Sequence, residues 1–95
     1  MKQTIWILDD EEIVQTLTEK TIKVLDTENK YEIKKFYSAA VVLAHLSYSL
    51  PDILLIDLGL KGLDGLEFLE IISMRKDFEK VDLYVVSNSV DERTK

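Results

Sequence analysis

Two short, wholly apolar runs that stop at aspartate constrain this chain more than any other feature. Ile5-Trp6-Ile7-Leu8 runs into Asp9-Asp10, and Ile53-Leu54-Leu55-Ile56 runs into Asp57. Runs of this length without polar alternation suit strands covered on both faces. Two further strands are predicted, a lysine-bearing edge strand over 31–37 and a fourth over 81–86 that ends at Ser87. Between the strands the period changes. Val14, Leu17, Thr21, Val24 and Leu25 recur at helical spacing, with Glu12, Gln15, Glu19, Lys20 and Lys23 between them as a solvated face. Asn29-Lys30 is expected to close that helix. Ser38 is placed to cap a second helix over 39–47, with Ala39, Val42, Leu43 and Leu46 inward. A third helix over 65–74 would bury Phe68, Leu69 and Ile72, and 76–80 reads as a polar connection. Residues 90–95 look like the start of another helix.

The order β-α-β-α-β-α-β predicts an α/β fold with a doubly wound parallel sheet and right-handed crossovers. At 95 residues the chain has room for one domain. Ligands of such sheets bind beyond the carboxyl ends of the strands, and three of the four strands end in Asp9-Asp10, Asp57 and Ser87. The topology thus gathers at one edge polar groups that lie far apart in sequence. The only proline and all three glycines fall between Pro51 and Gly65, so special backbone geometry is concentrated near that edge.

Composition narrows the chemistry. There is no cysteine and one histidine, His45, which excludes thiolate metal sites and a Cys nucleophile and argues against a His-rich zinc site. A formal charge of -6 argues against nucleic acid or anionic lipid as a partner. No apolar run approaches the roughly 18 residues of a membrane span, and the N-terminal run is too short for a signal peptide, so a cytoplasmic location is expected. Crowded carboxylates stay ionised with a cation among them; without one their pKa values rise. Oxygen-only donors suit Mg²⁺, and a carboxylate beside such an ion can attack phosphorus to give an aspartyl phosphate. Asp9-Asp10 alone reads equally well as a charge cluster at a helix start. A carboxylate at the end of a buried strand, as at Asp57, is costly unless something pairs with it, and is hard to explain structurally. Asp64 reads as a turn or capping residue, Trp6 as core, and His45 as a residue of the second helix away from the site.

Four stretches together resemble the receiver domain of two-component response regulators: Ile7-Leu8-Asp9-Asp10-Glu11, Pro51-Asp52-Ile53-Leu54-Leu55-Ile56-Asp57, Leu63-Asp64-Gly65-Leu66-Glu67 and Val85-Val86-Ser87. The resemblance implies a flavodoxin-like strand order 2-1-3-4. It implies that Asp57 accepts a phosphoryl group from a sensor histidine kinase or phosphotransfer protein. Asp10 and Asp57 would hold Mg²⁺, with Asp9 acting directly or through water and the Gly59 carbonyl as a further ligand. Ser87 would hold the new phosphate, and such a domain signals rather than turning over a substrate.

The chain also departs from the family. Asn88 follows the switch hydroxyl where a small residue is usual and is expected to slow or alter the phosphate-bound arrangement. Leu60-Lys61 stands where Met-Pro is usual. Tyr84 is the aromatic nearest the switch, but it lies inside the strand. The family's fifth strand, its lysine and its last helices find no match, so no catalytic lysine is expected in this chain. On this reading residues 1–95 are a receiver incomplete at the C-terminus, whose apolar fourth strand would be an open edge inviting self-association. Two other readings compete with it. One is a degenerate or truncated receiver that serves only for docking or dimerisation. The other is a small Asp-nucleophile phosphohydrolase, disfavoured because Glu11 and Gly59 stand two residues after Asp9 and Asp57, where that chemistry needs a second aspartate.

Overall fold

The computed structural model of the chain describes residues 2–57 and 65–86. Four parallel strands, β1 (Gln3–Leu8), β2 (Tyr31–Phe36), β3 (Ile53–Asp57) and β4 (Asp82–Val86), form one sheet in the order β2-β1-β3-β4. Helices α1 (Glu12–Leu25), α2 (Ala39–His45) and α3 (Gly65–Ser73) connect them. The expected doubly wound α/β sheet and its strand order are therefore present. The central pair β1 and β3 aligns Ile5 with Ile53 and Leu8 with Ile56, so their carboxyl ends finish side by side. β2 lies at one edge, where Lys34 and Lys35 are tolerated in exposed positions.

Alternation along the strands sorts side chains between the two faces. On one face Trp6, Leu8, Phe36, Leu54 and Ile56 pack with Val42 and Leu46 of the α2 segment and Phe68 and Ile72 of α3 in one buried cluster. Each large side chain so buried contributes on the order of 1.5–3 kcal/mol. Trp6 and Phe36 are tilted against each other at 4.7 Å between ring centroids, and the imidazole of His45 meets Phe36 edge-on at 5.0 Å. The Ser38 hydroxyl accepts from the Val41 N–H and caps α2, as its position predicts.

The opposite face carries α1, and here the expected orientation is wrong. Leu17, Val24 and Leu25, read as inward, are exposed, and Thr21 is exposed with them. Of the expected stripe only Val14 is half-buried; Gln15, read as part of the solvated face, is fully buried, with Thr18 and Ile22 half-buried beside it. The amide of Gln15 bonds to strand-end carbonyls, which turns the helix away from the orientation its apolar stripe alone would choose. The helix also ends earlier than expected, at Leu25. Asp26 accepts from the N–H groups of Lys30 and Tyr31, and Asn29 completes the turn at a φ of 54°, a left-handed geometry that asparagine tolerates. The polar connection over 76–80 is a 3₁₀ turn, Lys76–Lys80, that buries Phe78. One aromatic among charged residues suffices to anchor it.

Candidate functional site

β1 and β3 deliver the site because both end on carboxylates and their register holds those ends together. Leu8 pairs with Ile56, and the next residues are Asp9 and Asp57. Asp9 and Asp57 are buried and Asp10 is half-buried. One carboxylate oxygen from each of the three lies within 4.8 Å of the others. Asp9 also starts α1, since its Oδ1 accepts the Glu11 N–H at 3.0 Å. Glu11 itself makes no side-chain cap, and Asp9 supplies the acceptor for its N–H.

The electrostatics follow from that crowding. Burial pushes the Asp9 carboxyl above its ordinary value, the Glu11 N–H opposes this, and the negative charges of Asp57, Asp10 and Glu11 push it further up. A cation among the three oxygens would reverse that repulsion. The donor set is oxygen alone, and the three carboxylates are close enough to share one small ion, so the residues fit Mg²⁺.

The structure thus brings together Asp9, Asp10 and Asp57 as expected. Gly59, Ser87 and Asn88, together with Lys61 and Asp64, lie outside the described residues. Tyr84 sits within β4 and is exposed. His45 lies on α2, with Nδ1 3.1 Å from the Val41 carbonyl, and Trp6 is core. Gln15 is the contributor that sequence reasoning missed. Nothing in its spacing distinguishes it from the solvated residues beside it, and only the helix orientation reveals it.

Comparison with known proteins agrees with this architecture. The family model for the response regulator receiver domain matches residues 5–95. Among solved structures, the phosphorylated cyanobacterial phytochrome response regulator RcpA superposes with a TM-score of 0.85 at 22% identity, covering 97% of this chain and 69% of that one. A two-component response regulator from Cytophaga hutchinsonii superposes at 0.84 and 22% identity, covering 98% of this chain and 74% of its own. A response regulator receiver protein from Pseudomonas putida superposes at 0.77 and 16% identity, covering 92% and 69%. No curated protein matches the sequence. At these identities the structures establish the fold, and the family model, which spans nearly the whole chain, establishes kinship: the chain belongs to the response regulator receiver domains of two-component signalling.

Proposed function

We propose that this receiver domain accepts a phosphoryl group on Asp57 in a Mg²⁺-dependent step, from a phosphohistidine on a sensor kinase or phosphotransfer protein. The observation that carries this reading is the meeting of Asp9, Asp10 and Asp57 at the ends of two adjacent strands. Bound Mg²⁺ would neutralise the carboxylates and the incoming phosphoryl oxygens and hold them in line. Asp10 and Asp57 would hold it, with Asp9 directly or through water and the carbonyl of Gly59. A carboxylate oxygen of Asp57 forms the new bond to phosphorus as the phosphorus–nitrogen bond to the donor imidazole breaks. The imidazole leaves with that electron pair and takes up a proton. The Ser87 hydroxyl then donates to a phosphoryl oxygen, and Asn88 beside it tunes how long that arrangement lasts.

The domain is on this reading a cytoplasmic signalling module and not an enzyme with its own substrate. A net charge of -6 supports a protein partner over nucleic acid or membrane, and no helix among the described residues is long and apolar enough to cross a membrane.

Incubation with acetyl phosphate or phosphoramidate, with and without Mg²⁺, tests the proposal by intact mass. The expected result is one added phosphoryl group only with Mg²⁺, and none in Asp57→Asn. No gain in a folded sample overturns it. That outcome would favour a second reading, in which the chain serves only for docking or self-association. Its support is β4, whose Leu83, Tyr84, Val85 and Val86 are all exposed.

A further inference from the structure

Gln15 is a polar side chain where the helix–sheet interface calls for an apolar one. It sits near the start of α1 and is 0% exposed. Its Nε2 lies 2.7 Å from the Phe36 carbonyl, 2.9 Å from that of Ile7 and 3.1 Å from that of Asp9. One primary amide has two N–H groups, so three acceptors around it use its donor capacity in full. The Phe36 carbonyl also accepts the Asp9 N–H, at 3.1 Å. A single side chain therefore ties together the end of β1, the end of β2 and the main chain of Asp9.

The other end of that amide has no such role. Gln15 Oε1 is buried without a hydrogen-bond partner. An orphaned buried acceptor is a cost that a leucine or methionine here would not carry. All three groups facing Nε2 are carbonyls, so the amide cannot turn over to satisfy its oxygen without setting oxygen against oxygen. Asp9 is meanwhile held a second time, through Oδ1 on the Glu11 N–H. Its carbonyl and its carboxylate are both fastened to α1, the first through Gln15 and the second through the helix start.

We infer that Gln15 is a positioning residue for the acidic cluster: its buried amide fixes the main chain of Asp9, and with it the spacing of the Asp9 and Asp10 carboxylates from Asp57. The consequence is metal affinity, since groups that orient metal ligands from behind typically change affinity by about 10- to 100-fold when removed. That consequence rests on the Mg²⁺ reading above.

The test compares two substitutions in α1 by Mg²⁺ titration calorimetry and by the amide resonances of residues 9–11 in metal-free protein. Gln15→Met keeps the length and removes the donor. Ile22→Ala removes packing further along the same helix and touches none of the three carbonyls. Gln15→Met is expected to shift those resonances and weaken Mg²⁺ binding by about tenfold or more. Ile22→Ala is expected to lower the melting temperature while leaving both readouts near wild type. If Gln15→Met does not fold, Gln15→Asn carries the same test, because the shortened amide cannot reach all three carbonyls. Wild-type affinity and unmoved resonances in the Gln15 variant overturn the inference, and so does an equal loss in Ile22→Ala. If wild-type protein binds no Mg²⁺, the metal reading fails by itself, and the resonances still decide whether Gln15 positions Asp9.

Discussion

The two faces of the sheet are packed on different principles. The face under α2 and α3 is closed by apolar side chains, with Trp6, Val42, Leu54 and Phe68 at 1% exposure or less. The face under α1 keeps Ile5 and Ile7 buried, yet its helix presents Leu17 and Val24 to solvent at 60% and 74% exposure. Leu55 is only half-buried on that side and Tyr84 is exposed. Polar groups add to the fastening there. Gln15 bonds to three carbonyls, and Glu19 of α1 pairs with Lys35 of β2 at 3.0 Å. By strand alternation, Asp57 falls on the same side as Leu55. Stability and function thus reside on different faces: the apolar one holds the sheet together, while the polar one aims the carboxylates.

Opening the apolar face should have the largest effect. Phe68→Ala removes a fully buried ring and is expected to cost about 3–5 kcal/mol in urea unfolding, enough to unfold a domain of this size or leave it marginal. A loss of only about 1 kcal/mol, the centre of the range for ordinary substitutions, would mean that this face is not the main source of stability. On the other face the largest lever is the proposed Mg²⁺. Mg²⁺ at about a hundred times its Kd is expected to stabilise the chain by about 2.7 kcal/mol, seen as a rise in Tm, with most of that rise gone in Asp57→Asn. An equal rise in the variant would place the ion elsewhere.

A smaller effect separates the two ends of α1. Asp26 has its carboxyl below the ordinary value of 3.8, chiefly because the Lys30 N–H, and then the Tyr31 N–H, hold the charged form. A lowered folded-state pKa contributes stability above the unfolded value, and this is lost as pH falls through the folded one. Asp26→Ala should therefore remove part of the acid sensitivity of unfolding below pH 3.8 while leaving Mg²⁺ affinity unchanged. An unaltered acid limb would show that the turn after α1 adds nothing. The smallest effect is expected at Leu17→Ser, within about 0.5 kcal/mol, because that side chain is already exposed. A much larger change, or one that depends on protein concentration, would show that something covers this stripe in solution.

Much of this architecture is legible in the amino-acid order. Two apolar runs ending in aspartate identify the central strands, and strand–helix alternation then dictates a parallel sheet whose carboxyl ends meet. Asp9, Asp10 and Asp57 follow from that logic because each lies at or beside a strand end, where position along the chain and position in space coincide. The inward residues of α2 and α3 are legible too, since one apolar stripe on each helix faces one apolar sheet surface.

Helix α1 is not legible in the same way. It carries Leu17 and Val24 on one side and Thr18 and Ile22 on another, with Val14 and Leu25 between them, and apolar periodicity cannot choose the side that faces the sheet. Hydrogen-bond satisfaction makes the choice: carbonyls at the ends of β1 and β2 meet the one amide in the helix that can reach them. The order of the strands' apolar runs, and the residues at their ends, follow from the amino-acid order alone. Which face of α1 meets the sheet is set in three dimensions, because it depends on acceptors contributed by residues 6 to 21 positions away along the chain.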